Sequence, residues 1–422
     1  MSAGPRVLLL DGDSPSALTI AKELSEDLDA TVVGAGMTRY SRLLRSRYCD
    51  VGITVPPSDD ERYADALQSV IRMHRPQFVL PVGYRSTAEL DRIRSDLPRF
   101  VSTCLPESAS LRTGADKAVT IAHATDLGID VPEDYSEVVE TMDANGRPPG
   151  ALSRLEFPVF LKARREAGGG ETTTARVEEP SGFWETYDRM VAAAPTDDVL
   201  VQELVEGTGS TYGVGLLCVD NDVKLRFCHE ELRSVPRRGG SGTHLRIRRD
   251  DALKRAASEL LRSIGWHGIA LVEFRRRDDG SLVLMEVNPK FWASYALASE
   301  HGYRFASTMV AVTLDLGVDV PIGSPEPVGE MVYPLRELYH CARRPTLRSA
   351  RECLGTILEP NADWSVDRND PGAWLTPPVE LVRKIPALAT PRSDGTGLEN
   401  ASGDGSTADE DDYSIENSGG VR

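Results

Sequence analysis

Glu273 and Glu286 are the side chains of this chain best placed to do chemistry together. Each sits in an apolar run, Ala270-Leu271-Val272-Glu273-Phe274 and Leu284-Met285-Glu286-Val287-Asn288, and Asp278-Asp279-Gly280-Ser281 lies between them. Asp-Gly tolerates positive φ at both central positions, so Asp279-Gly280 is expected to form a two-residue hairpin turn. That turn sets Glu273 opposite Glu286, about 5 Å apart at Cβ. Asn288, two residues beyond Glu286, shares its face. Like charges placed opposite one another destabilise a sheet unless something neutralises them. Mg²⁺ (or Mn²⁺) does so with oxygen ligands of this kind, usually bridging to phosphates. An edge hairpin with two solvated glutamates is the plainer alternative.

Cations form a second set. Lysine occurs only at 22, 117, 162, 224, 254, 290 and 384, and every other cation is arginine. A lysine retained in such a chain is a candidate for a task that needs a compact, flexible ammonium. Lys117 opens a helical stretch after Asp116, Lys162 ends a strand-like run, and Lys290 follows Asn288-Pro289. Gly168, Gly169 and Gly170 taken alone read as a flexible turn, although glycines also let backbone N–H groups approach anionic oxygens. His229, Arg233 and His244 flank a second glycine-rich stretch at 239–242, and Arg233 is a candidate clamp for a substrate carboxylate or phosphate, with a solvated arginine as the equal alternative.

The elements that must position these groups alternate at first. Short apolar runs at 6–10, 30–34, 51–55, 78–82 and 100–103 are separated by helical stretches to about Leu28, near 59–74 and near 84–97, which implies a parallel α/β sheet. The first loop, Gly12-Asp13-Ser14-Pro15-Ser16, lacks the Gly-x-Gly-x-x-Gly pattern, so a dinucleotide site is not expected there. Tyr84, Arg85 and Ser86 follow a strand end and are candidates for substrate contact or for an ordinary helix start. From about 115 the texture changes to mixed α+β. Helices are expected to Leu127 and at about 181–194, 250–264 and 303–316. Strands are expected at 157–163, 172–177, 199–207, 211–219 and 223–229. The spans read as an α/β domain (1–112), a two-lobed α+β domain (113–320), a small C-terminal subdomain (321–389) and an acidic tail (390–422) too poor in apolar residues to offset ordering entropy.

Net charge of −17 argues against nucleic acid as a partner. No run reaches the apolar length of a membrane span. The opening residues lack the pattern of a signal peptide, and six scattered cysteines without a Cys-x-x-Cys pair read as reduced thiols of a cytoplasmic protein. Acid-rich, lysine-poor composition suits a high-salt, halophilic cytoplasm, although a GC-rich genome would also favour arginine.

The order of these features is specific. A lysine at a helix start, a second at a strand end, a glycine loop, Gln202-Glu203-Leu204-Val205-Glu206-Gly207, then Glu…Glu-x-Asn-Pro-Lys resembles the ATP-grasp superfamily. Its carboxylate–amine ligases and carbamoyl-phosphate-synthase-like members are the best match. The resemblance spans about 1–318, and Ser46-Arg47-Tyr48-Cys49-Asp50 also resembles a segment of that subgroup. It implies that Lys117 and Lys162 contact ATP phosphates and that Gly168, Gly169 and Gly170 close over them. Gln202, Glu203, Leu204 and Val205 would form the linker that meets adenine, with Glu203 or Glu206 at the ribose. Glu273, Glu286 and Asn288 would be the magnesium ligands. Lys290 stands where most relatives have arginine, which keeps the charge but loses the planar fork. Phe291-Trp292-Ala293-Ser294 resembles the substrate-side segment, and Trp292 reads equally well as a core aromatic. The activity implied is ATP-dependent joining of a small-molecule carboxylate to an amine, and a homodimer is compatible with it. A phosphotransferase of the same fold and a non-catalytic ATP sensor are the rival readings.

Overall fold

The computed structural model describes residues 4–165, 174–193, 198–205, 210–220, 222–235, 241–318, 320, 328–343 and 346–374. The glycine triplet 168–170, Glu206, most of the 236–242 loop and the tail from 390 fall outside the described residues.

Four short strands, β1 (Arg6–Leu9), β2 (Thr31–Gly36), β3 (Val51–Thr54) and β4 (Phe78–Leu80), form a parallel sheet in the order β3-β2-β1-β4. Val7, Leu8 and Leu9 are wholly buried, as a parallel strand covered on both faces must be. Helix α1 (Pro15–Leu28) starts where Pro15 presets φ and the Ser14 side chain accepts the Ser16 N–H. Helices α2 (Tyr63–His74) and α3 (Tyr84–Arg92) follow. The helix expected to reach residue 97 stops at Arg92 and gives way to a 3-10 turn, and the run at 100–103 adds only one bridge, Ser102 to Phe78. Asp11, at φ 54°, takes the N–H groups of Val82 and Gly83 and the Ser86 hydroxyl. Ser86 is therefore a buried strut of the helix start, and Arg85 pairs with Asp59.

After α4 (Ser108–Ala115), α5 (Lys117–Asp126) and α6 (Ser136–Ala144), a small antiparallel sheet forms in the order β6-β5-β7. Its strands are β5 (Val159–Ala163), β6 (Thr174–Val177) and β7 (Val199–Glu203), with α7 (Phe183–Ala193) packed on it. The larger sheet has the order β12-β11-β8-β9-β10-β13-β14. Its strands are β8 (Thr211–Val219), β9 (Asp222–Val235), β10 (Ser241–Ile247), β11 (Gly268–Arg276), β12 (Leu282–Asn288), β13 (Glu330–Val332) and β14 (Ala362–Trp364). The amphipathic α8 (Asp251–Ser263) buries Leu253, Ala257, Leu260 and Leu261 against its outer face.

Helices α9 (Tyr295–Glu300) and α10 (Phe305–Thr313) join the larger sheet to the first domain. Glu23 of α1 is wholly buried and accepts hydrogen bonds from Tyr295 Oη (2.6 Å), Ser299 Oγ (2.8 Å) and the Ser307 N–H (2.8 Å). The region expected as a separate C-terminal subdomain instead extends the larger sheet. β13 pairs antiparallel with β10, and α11 (Pro334–Arg343) and α12 (Leu347–Ile357) pack beside it. The chain then returns to the first domain, where Asp370 accepts from Ser46 Oγ (2.5 Å) and the Arg47 N–H (3.0 Å), and Asp367 from Tyr48 Oη (3.1 Å). Among the described residues no helix is long and apolar enough to cross a membrane.

Candidate active site

The hairpin pairs Glu273 with Glu286 across β11 and β12, as expected, but by a different route. Gly280 has φ 88° and its N–H reaches the Arg277 carbonyl, while the Arg277 N–H reaches the Ser281 carbonyl. The loop is therefore three residues, a tight turn closed by a left-handed glycine. This shifts Phe274 opposite Leu284. A bulge at Met285 then restores the register, so that Glu273 faces Glu286 and Leu271 faces Asn288. The bulge has a use. The Met285 carbonyl accepts a hydrogen bond from Lys162 Nζ at 3.0 Å, from the end of β5 in the opposite lobe.

Lys162 is 3 % exposed, and burial pushes its pKa down to about 8, against the attraction of Glu286. Lys117 lies 3.6 Å from Glu286. It opens α5, whose cap Asp116 takes the N–H groups of Ala118 and Val119 and pairs with Arg164 and Arg165. Two ammonium groups and a helix N-terminus thus converge on the carboxylate pair, an arrangement suited to a polyphosphate. Asn288 Nδ2 donates to Glu286 Oε1 at 3.0 Å.

The two carboxylates are electrostatically unequal. Burial, then the neighbouring Glu286 and Glu231, raise Glu273 to about 8. Glu286 is held below the usual range: burial opposes its charge, but Lys117, Lys162 and the Asn288 amide outweigh it. A half-buried pair of facing carboxylates with an amide beside it is a donor set that fits a hard divalent cation. Among the described residues no group of three His, Cys, Asp or Glu side chains makes a closed metal cage. An ion held here would therefore take further oxygens from a bound phosphate or water.

The linker residues lie at the end of β7 and just beyond it. Gln202 is 1 % exposed with Nε2 unpartnered. The Glu203 carboxylate is already engaged: burial opposes its charge, but Arg277 and the Glu133 N–H hold it below the usual range. It is thus not a free acceptor for a ribose. The Val205 carbonyl accepts from Arg275 Nη1 at 3.2 Å, and Leu204 lies between Glu203 and Val205 without a polar side chain to offer.

The expected clamp, Arg233, is committed elsewhere. It donates to both oxygens of the fully buried Glu337 (2.7 and 3.2 Å) and ties β9 to α11. His244 likewise pairs with Glu330 at 2.6 Å. Trp292 is 3 % exposed and packs against Phe227, Tyr295 and Phe305, so it serves as a core aromatic at the edge of the site. Ser16 Oγ donates to its carbonyl, which anchors the segment after Lys290 to the first domain. Lys290 acts on Glu273 and Glu286 and lies beside the pair. Three side chains not singled out from the sequence belong to the same neighbourhood: Glu231, Arg275 and Arg336. Strand alternation could have found the first two, since Glu231 is two residues beyond His229 and Arg275 two beyond Glu273. Arg336 gave no local signal.

A cleft between the small antiparallel sheet and the larger, mostly antiparallel one, lined by two lysines and a carboxylate hairpin, has the form of an ATP-grasp fold. Residues 116–319 match the family model of the carbamoyl-phosphate synthase L chain, ATP binding domain, and the likeness to the ATP-grasp superfamily rests on that span. Solved structures share the fold. The ADP complex of an N5-carboxyaminoimidazole ribonucleotide synthetase aligns at TM-score 0.61 and 13 % identity, covering 82 % of this chain and 86 % of that one. Biotin carboxylase from Campylobacter jejuni aligns at 0.62 and 15 % identity (78 % and 74 %). L-amino acid ligase from Bacillus licheniformis aligns at 0.54 and 13 % identity (74 % and 75 %). No curated protein matches the sequence.

Proposed function

We propose that this protein is an ADP-forming ligase that joins a carboxylate to an amine through an acyl-phosphate, in a salt-rich cytoplasm. The observation that carries the reading is the convergence of Lys117 and Lys162 on the Glu273–Glu286–Asn288 face with Lys290 beside it. The nature of the family domain and of the neighbours, a synthetase, a carboxylase and a ligase, supports it.

A carboxylate is a poor electrophile, and phosphorylation supplies the leaving group it lacks. Lys117 and Lys162 hold the phosphates of ATP and offset their charge. Glu273, Glu286 and Asn288 would hold Mg²⁺, which when bound supplies Lewis-acid screening of phosphate oxygens. Lys290 lies where a cation would stabilise the oxyanion formed as the amine attacks.

Hydroxylamine provides the test. With ATP, Mg²⁺ and molar KCl, a panel of carboxylic acids should include one that yields a hydroxamate with stoichiometric ADP. A stable phosphate ester with no amide or hydroxamate would assign phosphoryl transfer instead. ATP binding with no ADP release under any condition would leave a sensor.

A further inference from the structure

On the metal-pair face of the larger sheet, two half-buried side chains of opposite sign, Glu231 and Arg336, form no direct ion pair among the described residues. Gly213 pairs with Glu273 on one side and His229 on the other, so all three share that face. Glu231, two residues beyond His229, shares it too. Glycines at 213 and 215 keep the intervening strand low. A Cβ at 213 would lie 2.3 Å from His229 Cε1, and one at 215 would lie 2.3 Å from Trp292 Cη2. The His229 ring leans over β8 from β9, 2 % exposed, with Nδ1 unpartnered. The Glu231 carboxylate accepts only the Gly242 N–H and forms no ion pair among the described residues. Arg336 arrives from α11, stacks 4.4 Å over Tyr333 and donates to the carbonyls of Gly242 (2.7 Å) and Ala293 (2.6 Å). Among the described residues it meets no carboxylate within ion-pair distance, yet it is the charge that acts most strongly on Glu231.

Strand order fixes the sequence of these groups. Going across the sheet, the metal pair on β12 and β11 comes first, then the glycine floor of β8, then Glu231 on β9, then Gly242 of β10 with Arg336 bound to it. Each step is about 4.8 Å. A ligand lying along this line meets an acid nearer the reacting phosphate and a cation beyond it.

We propose that the amine substrate is an α-amino acid, its ammonium held by Glu231 and its carboxylate by Arg336. The proposal rests on the ligase reading above. A simple amine would leave Arg336 without a carboxylate and a simple acid would leave Glu231 without an ammonium, and a charge drawn partly out of water is costly to leave unpaired. The zwitterion satisfies both, with two groups separated by a single carbon. The roles then follow in order. The ammonium gives one proton to Glu231. The freed nitrogen lone pair forms the bond to the acyl carbon, and the bond from that carbon to the phosphate oxygen breaks. The second nitrogen proton leaves with the phosphate. His229, which burial pushes down to about 4 and so keeps neutral, offers Nδ1 as a further polar contact.

Thermal-shift titration tests this without knowledge of the acyl substrate. The full chain with Mg²⁺ and a non-hydrolysable ATP analogue is titrated with each of the twenty common amino acids. One or a few should raise the melting temperature, and the carboxamide and the N-acetyl derivative of the best binder should bind at least tenfold more weakly. Arg336→Met should cost tenfold or more, Arg336→Lys less, and Glu231→Gln should cost tenfold or more. The shift produced by the nucleotide alone should persist in all three variants, which shows that they fold. No binding by any amino acid to nucleotide-loaded wild type would overturn the proposal, as would undiminished binding by Arg336→Met and Glu231→Gln. The two readings fail separately: hydroxamate formation with no zwitterion binding removes the amino acid and keeps the ligase, whereas zwitterion binding with no acid activated removes the ligase.

Discussion

Replacing Lys162 by methionine should strip the protein of nucleotide binding while leaving it at least as stable. Burial lowers this lysine from 10.5 to about 8, which corresponds to about 3 kcal/mol of stability forgone below pH 8 to keep a charged ammonium in the interior. Methionine fills similar volume without that cost. It also leaves the Met285 carbonyl without its donor, worth about 1–3 kcal/mol, so the net at pH 7 is about 0–2 kcal/mol in favour of the variant. The pH dependence has a definite sign. Between pH 8 and 10.5 the unfolded chain carries the Lys162 proton and the folded chain does not, so wild-type stability rises relative to the variant across that window. Urea denaturation at pH 7 and pH 10 measures both quantities, and an ATP titration by thermal shift measures the function. A variant less stable than wild type by more than about 2 kcal/mol at pH 7, with a normal ATP shift, would refute the reasoning.

Glu273→Gln and Glu286→Gln should each abolish ATP turnover, and Mg²⁺ should raise the melting temperature of wild type but of neither variant; an equal Mg²⁺ shift in all three would remove the carboxylates as ligands. Lys290→Arg should retain most of the turnover that Lys290→Met loses, as steady-state ADP release will show, because the role is charge near an oxyanion. Glu23, raised by burial to about 7 from 4.5, contributes stability that is complete below pH 4.5 and lost as pH rises through 7. Glu23→Gln should remove that decline in urea titrations from pH 5 to 8, and curves parallel to wild type would refute it.

Much of the site was legible because its groups are local. Facing carboxylates on a hairpin, a lysine at a helix start and another at a strand end each follow from short-range pattern. The Glu273–Glu286 pairing emerged from a two-residue turn, yet the molecule uses a three-residue turn and a bulge that offsets it. Asp-Gly signals both kinds of turn, and nothing in Leu284-Met285-Glu286 announces that a lysine from the other lobe will draw one carbonyl out of the ladder. Arg233 misled because charge and position say nothing about a partner 104 residues away. Arg336 was invisible for the same reason: its place depends on β13 joining β10. The sheet order, too, could not be read from local periodicity.

The clasp between Asp370 and the Ser46–Arg47 segment spans 324 residues in its side-chain hydrogen bond, and it has a consequence for how the molecule comes to exist. A ribosome delivers the first domain long before the residues that close over it. Until residues 330–332 emerge, β10 stands as a bare sheet edge, a template for pairing with the wrong chain. Contacts this distant in sequence are slow to form, and domains made first fold first. The nascent polypeptide therefore passes through a stage at which the nucleotide cleft can be built and its border is still open. Bound nucleotide at that stage would favour the native lobes, and the later contacts of residues 330–332 and Asp370 would act as the latch on them.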